Sequence, residues 1–254
     1  MVKIGLALSG GGARGIAHLG MLRALEEKGV KFHCISGTSV GAVIGALYAH
    51  GLKADEILQT ILATRIFASL RPAWTLSGLL SMDRLQRLLL EFLPHNSFEQ
   101  LQLPFTAVAT DLEQGKPAYF TSGPLIPALL ASSCVPGMFN PVYVGKTMYV
   151  DGGITDNFPV HPLRDRCDFI VGLHSNPVVP QVIARNVKGV LERTLLLAIN
   201  SNAEKSKTLC DLIIEPPGLG KYSTMELAKA RELADIGYRY TSEFLTPEKL
   251  ALMK

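Results

Sequence analysis

Charge is thin in this chain and evenly split. Basic residues number 25 and acidic residues 22, for a formal net charge of +3 over 254 positions. A nucleic-acid ligand would want a basic stripe, none is visible, and no such partner is expected. Cysteine is scarcer still. The four residues Cys34, Cys134, Cys167 and Cys210 stand far apart without a C-x-x-C spacing. They read as reduced thiols packed as small hydrophobes. The six histidines form no metal motif and there is no D-x-D-x-D-G loop. No metal and no other cofactor is therefore expected. No apolar run reaches the roughly 18 residues that a spanning helix needs. Residues 1–8 are too short for the apolar region of a secretory signal and run into a glycine motif without a cleavage pattern. The expectation is a cytoplasmic protein, with peripheral contact at an inner membrane surface left open. Nothing in the sequence sets the oligomeric state.

Apolar residues are what the chain does have. They make up 48% of it against 19% charged, enough for a substantial core and too many for disorder. No linker, repeat or low-complexity tract interrupts them, so one domain over residues 1–254 is expected. Residues 3–8 form a short apolar run that stops at Ser9-Gly10-Gly11-Gly12, a strand and then a turn. Over 16–28 Leu19, Leu22, Ala24 and Leu25 recur at helical spacing, and Gly29 ends that helix. Residues 32–35 read as a second strand. Ser36-Gly37-Thr38-Ser39 then turns the chain into an apolar helix over 40–50, closed by Gly51. Further helices are predicted over 54–64, 83–93 with Ser81 as N-cap, 124–132, 182–206 and 223–244. Further strands are predicted over 105–110, 118–121, 147–150, 168–173 and 211–214. The fold class is α/β, three layers with a mainly parallel central sheet.

Three segments carry chemistry. Gly37-Thr38-Ser39-Val40-Gly41 is a G-x-S-x-G between a strand and a buried helix. That is the setting of a nucleophile elbow, in which a sharp turn holds the serine strained with its Oγ exposed. The helix N-terminus favours negative charge at the same point. The plainer alternative is a Gly/Ser turn with Ser39 capping its helix. Ser9-Gly10-Gly11-Gly12-Ala13-Arg14-Gly15 also joins a strand to a helix. Consecutive glycines let backbone N–H groups converge, as in an oxyanion hole or a phosphate nest. Gly10-x-Gly12-x-x-Gly15 matches the dinucleotide fingerprint too. The acidic residue which that fingerprint needs is missing after Cys34-Ile35-Ser36-Gly37, and Ile16 stands where a P-loop has Lys. Asp151-Gly152-Gly153 alone is a plain turn, but it ends a predicted strand, where sites gather in an α/β sheet.

Each segment follows a predicted strand, which would set all three on one edge of a parallel sheet. With these residues the chain resembles the patatin-like phospholipase family in its compact bacterial form. The stretch Ala131-Ser132-Ser133-Cys134-Val135-Pro136-Gly137-Met138-Phe139 adds to the likeness, which runs from Lys3 to about Pro162. The resemblance implies a Ser–Asp dyad without a catalytic His. Ser39 attacks an ester carbonyl, and Asp151 takes its proton and later activates water. The N–H groups of Gly10, Gly11 and Gly12 hold the oxyanion, with Ala13, Arg14, Gly15, Gly37, Gly41, Gly152 and Gly153 as the supporting motif. Arg14 would brace the loop or place a phosphate-bearing head group. The implied substrate is a lipid acyl ester such as a phospholipid or lysophospholipid, and the implied cofactor is none. Ser9 stands where the family often has Asp, which leaves the loop's anchoring open, and Asp-Gly-Gly replaces the common Asp-Gly-Ala. Because a carboxylate is a poor base for serine, such a dyad demands a dry pocket that raises the pKa of Asp151.

Alternatives stand beside this reading. A Ser-His-Asp triad in the α/β-hydrolase order needs a His after Asp151, and His161 and His174 qualify by position. A nucleotide-binding protein would use the glycine loop, and a catalytically silent regulatory protein would share the scaffold. Trp74, Leu76, Leu79 and Leu80, in the apolar loop 72–80 with Arg65, Arg71, Arg84 and Arg87 nearby, would touch a bilayer, line an acyl groove or simply pack on the core. Leu191, Leu195, Ala198 and Asn202 share one face of the long helix, read as core.

Overall fold

The computed structural model describes residues 2–64, 82–179 and 187–253. The apolar loop 72–80, Arg65, Arg71, the Ser81 cap, the first residues of the helix expected over 182–206 and the Leu191 side chain lie outside the described residues.

Among the described residues five strands run parallel: β1 (Ile4–Leu8), β2 (Cys34–Thr38), β3 (Phe105–Asp111), β7 (Phe169–Leu173) and β8 (Leu212–Ile214). They lie in the order β3-β2-β1-β7-β8. All of β1, β2 and β3 is buried, as expected of parallel strands covered on both faces. Three antiparallel strands extend the sheet beyond β3: β4 (Lys116–Phe120), β5 (Val142–Val144) and β6 (Thr147–Asp151). The sequence shows no sign of β5.

The second strand differs from expectation. It continues through Ser36, Gly37 and Thr38, which the sequence places in the turn. These residues pair with Ala7 and Leu8 of β1 on one side and with Thr106, Ala107 and Val108 of β3 on the other. Pairing on both sides overrides their local preference for a turn. The two hydroxyls remain satisfied in the core, Ser36 Oγ donating to the Pro159 carbonyl and Thr38 Oγ1 to that of Asp156.

Strand direction needs a second correction. β6 is antiparallel to β3, so the three motifs do not end three parallel strands. A strand has only two edges. β4 pairs with Ala107 to Asp111 of β3, and β6 pairs with Ala109 to Asp111 as well, so these two take opposite edges. β2 pairs with Ile35 to Thr38 against Phe105 to Val108, where β4 also holds Ala107 and Val108. β2 and β6 therefore share one edge of β3, end to end and pointing at each other. β2 stops opposite Val108 and β6 stops opposite Ala109.

Helices cover both faces. Ile4, Leu6 and Leu8 of β1 enter the larger core. It packs beneath α1 (Ala17–Glu27), α2 (Val40–Ala49), α3 (Ala54–Thr64), α4 (Asp83–Phe92), α5 (Leu125–Ser133) and α7 (Ala230–Phe244). Ala7, with Cys34 and Ile170, faces a smaller core closed by Phe158, Val160, Leu163 and Ala203 of α6 (Val187–Lys207). α1 and α7 cross backbone against backbone, a Cβ at Gly20 meeting the Ala234 carbonyl and one at Gly237 that of Ala17. α7 begins later than the expected 223, a 3-10 turn over Leu227–Lys229 preceding it, and a short α8 (Pro247–Ala251) follows. No described helix is long and apolar enough to cross a membrane.

Candidate active site

Ser39 sits between the last residue of β2 and the first of α2, at φ 55° and ψ −127°. Among described residues other than glycine, Asn96 alone shares a positive φ. Such a conformation costs on the order of 1–3 kcal/mol and persists only where neighbours impose it. Here they do. A Cβ at Gly37 would meet the Gly41 carbonyl, and one at Gly41 would meet the carbonyls of Ser9 and Leu8. Both glycines of the G-x-S-x-G are needed for β2 to turn straight into a helix that lies on the glycine loop. The Ser39 N–H donates to Ser132 Oγ at 2.8 Å, which ties the elbow to α5.

Asp151 arrives from the opposite direction. Its N–H donates to the Cys134 carbonyl at 3.0 Å, and its carbonyl accepts from Thr110 Oγ1 at 2.9 Å. Its Oδ1 accepts from the Gly153 N–H at 2.8 Å. A Cβ at Gly152 would strike the Val108 carbonyl, so the chain leaves β6 by a route only glycine allows. Asp151 is 6% exposed and Ser39 8%. Burial pushes the Asp151 pKa up to about 6, while hydrogen bonding from the Ser39 hydroxyl and the Gly153 N–H pulls it partly back. Asp151 Oδ2 is buried and has no hydrogen-bond partner, and the Ser39 hydroxyl acts on the same carboxyl.

The glycine loop closes the third side. A Cβ on Gly10 would lie 3.3 Å from Ser39 Cβ, so the loop abuts Ser39. The Gly10 N–H donates to the Asn157 carbonyl at 3.0 Å and is spent. This corrects the expectation that Gly10, Gly11 and Gly12 all offer donors. No described residue accepts from the N–H of Gly11 or Gly12. Gly12 has φ +54°, with its open side against the Thr224 carbonyl, and the Ala13 N–H donates to that carbonyl at 2.7 Å. Gly15 makes room for Val40. Arg14 is buried and its Nε donates to the Tyr222 carbonyl at 2.7 Å, a brace for the loop.

Sequence reasoning missed what anchors this loop. Ser9 Oγ accepts from the Ser175 N–H at 3.0 Å. The Gly10 carbonyl accepts from Ser175 Oγ at 3.1 Å and from Asn176 Nδ2 at 2.7 Å. Asn157 Oδ1 stands close to both Gly10 and Gly153, linking the loop to the aspartate turn. The one signal available was a trio of polar residues, His174-Ser175-Asn176, directly after the apolar β7.

His18 and His174 are engaged elsewhere. His174 is buried with Nδ1 2.6 Å from Glu215 Oε1, and His161 is exposed. His18 is buried with Nε2 2.9 Å from the Ser9 carbonyl, and burial lowers its pKa to about 4. Among the described residues no histidine hydrogen-bonds to Ser39 or Asp151.

Sequence comparison sharpens this picture. A family model for patatin-like phospholipases matches residues 6–164, more than half of the chain. The chain belongs to the patatin-like phospholipase family. An NTE-family protein of Mycobacterium tuberculosis is 38% identical over 164 residues, 63% of this patatin-like chain and 45% of the relative. The lysophospholipase nte1 of Aspergillus fumigatus is 27% identical over 281 residues, 97% of this chain and 18% of the relative. The chain thus spans less than half the length of these curated relatives. VipD of Legionella pneumophila superposes with a TM-score of 0.55 at 17% identity, over 95% of this chain and 66% of that one, which shows a shared fold.

Proposed function

We propose that this patatin-like chain hydrolyses a fatty-acyl ester of a lipid through an acyl–Ser39 intermediate, with Asp151 as the only side-chain base. The observation that carries the reading is the head-on meeting of β2 and β6 along one edge of β3, which sets a strained serine against a buried carboxyl. The names of the relatives, lysophospholipase among them, agree with a lipid ester as substrate.

In the first half-reaction Ser39 Oγ bonds to the ester carbonyl carbon as its proton passes to Asp151 Oδ2. The oxygen that becomes negative takes the N–H groups of Gly11 and Gly12, which are unspent in the resting protein. One such donor is typically worth about 3 kcal/mol of barrier. Collapse expels the alcohol, which leaves with the proton held by Asp151. Water then attacks the acyl carbon, Asp151 takes its proton, and that proton returns to Ser39 Oγ as the fatty acid departs. A pKa near 6 suits both directions of transfer, since the carboxyl is mostly ionised at neutral pH yet more basic than an ordinary aspartate.

Turnover of a p-nitrophenyl acyl ester by wild type, Ser39→Ala, Asp151→Asn, His161→Ala and His174→Ala tests the proposal. The first two are expected to lose at least about a hundredfold in kcat, and the His variants to keep most activity per folded molecule. Collapse of activity in a folded His variant would replace the dyad with a triad. A wild type that neither turns over the ester nor takes a fluorophosphonate label on Ser39 would remove the hydrolase reading.

A further inference from the structure

Two cysteines that are remote in sequence meet in the smaller core. Cys34 opens β2 and is fully buried, and Cys167 precedes β7 and is partly exposed. They are 133 positions apart, yet their Sγ atoms lie 2.9 Å from each other. Gly5 makes the space. It stands beside Cys34 in the register of β1 against β2. A Cβ on Gly5 would lie 2.9 Å from Cys167 Sγ and 3.2 Å from its Cβ. Any larger residue would fill the place where the two sulfurs converge.

The segment that carries Cys167 is held firmly. The Cys167 N–H donates to the Leu163 carbonyl at 3.0 Å. Its neighbour Asp168 accepts from the Lys3 N–H at 2.9 Å and returns its own N–H to the Lys3 carbonyl at 2.9 Å. The sulfur is thus pinned over β1. The other two thiols are placed elsewhere: Cys134 Sγ donates to the carbonyls of Ala131 and Tyr149, and Cys210 Sγ lies beside Gly172.

We propose that Cys34 and Cys167 are a disulfide-forming modification site, closed by a hydroperoxide, that staples β2 to the segment entering β7 across β1. The sulfurs must approach from 2.9 Å to about 2.05 Å, a rotamer adjustment of less than about 1 Å. The partly exposed Cys167 is the thiol the oxidant reaches. Its thiolate attacks a peroxide oxygen, the O–O bond breaks, water leaves and a sulfenic acid remains. Cys34 sulfur then attacks Cys167 sulfur and the second water leaves. Two thiols and one hydrogen peroxide become one disulfide and two waters. Burial raises the Cys167 thiol, with the Cys34 thiol and Asp168 adding to the shift and Arg166 opposing it. Oxidation is therefore slow near neutrality and faster as pH rises. The site stands independently of the proposed hydrolase chemistry.

The test treats the folded full chain with excess hydrogen peroxide at pH 7 and at pH 9, blocks remaining thiols and maps peptides without reduction. A single cross-link between residues 34 and 167 is expected, two hydrogens lighter than the paired thiols. It should be absent from Cys34→Ser and Cys167→Ser and retained in Cys210→Ser. Closing so long a loop in the unfolded chain should raise Tm by several degrees, reversed by dithiothreitol. Recovery of both residues as alkylated thiols at both pH values would overturn the proposal. So would pairing of Cys167 with Cys210, or arrest of Cys167 at sulfinic acid.

Discussion

Asp151 closes β6 and Glu215 follows β8, and folding strips water from both carboxyls. Burial raises both pKa values, and the neighbours decide where each one stops. Around Asp151 the offsets are weak: one N–H on Oδ1, the Ser39 hydroxyl, and no cationic partner among the described residues. It stays up at about 6. Around Glu215 burial is outweighed. His174 Nδ1 lies at 2.6 Å, Lys207 Nζ lies at 2.9 Å and 3.1 Å from the two oxygens, and the carboxyl falls to about 2. Burial lowers the His174 pKa as well, so this ring is neutral at pH 7. His174 gives Glu215 a hydrogen bond, and Lys207 is the permanent cation beside it. A carboxylate is left basic where the fold withholds a cation and is fixed as an anion where one is supplied. Ionised, the first carboxylate costs the fold stability and the second contributes to it.

The sharpest way to break this contrast is Asp151→Asn. The folded pKa lies above the unfolded one, so folding favours the protonated carboxyl. Ionisation costs nothing below about pH 4, and the cost reaches its full value above the folded pKa of about 6. At pH 7 that cost is at most roughly 3 kcal/mol. The variant should therefore be more stable than wild type at pH 7 while losing activity, and the gain should vanish at pH 4. Urea unfolding at the two pH values checks it. A variant no more stable at pH 7 would mean that Asp151 ionises in the fold without penalty.

A smaller effect concerns the wild-type pH profile. With Asp151 as base, kcat/KM should fall about tenfold per unit below its pKa, which stands at about 6. Above it the profile should stay level to about pH 8, because the proposed dyad holds no histidine. A second inflection near neutrality would put a histidine back into the chemistry. Rates on a soluble acyl ester across pH 4–9 measure both limbs.

Much of the scaffold was legible because it rests on local signals. Apolar runs followed by glycines marked β1 and α2, and α3 has the expected bounds of Ala54–Thr64. The chemical motifs were legible for a related reason. Gly37, Gly41 and Gly152 stand where backbones touch, and no other residue fits. What stayed hidden depends on remote partners. Nothing in residues 147–151 says that β6 runs against β3, yet that direction is what turns Asp151 toward Ser39. Ser132, Ser175 and Asn176 look like ordinary polar residues until the fold sets them against backbone groups 93 to 166 positions away. The spent N–H of Gly10 is hidden in the same way, since its acceptor is the carbonyl of Asn157. Where the sequence seemed to speak locally, at Ser36-Gly37-Thr38, pairing on two sides overruled it.

Glu215→Gln is the mirror experiment, with the smallest expected effect. The folded pKa is depressed, so the anion stabilises the fold above the unfolded value, and that contribution fades as pH falls toward about 2. The side chain is 27% exposed, so solvent screening discounts the full shift, and a loss of about 1–2 kcal/mol at pH 7 is expected. Activity per folded molecule should change by less than about twofold, because Glu215 and Lys207 lie outside the proposed chemistry. The pH dependence carries the finer point. If His174 were the cation that holds Glu215, the deficit would change between pH 6 and 8 as the ring titrates. With Lys207 as the cation it should stay flat across that range and shrink only below about pH 4, opposite in sign to the curve for Asp151→Asn.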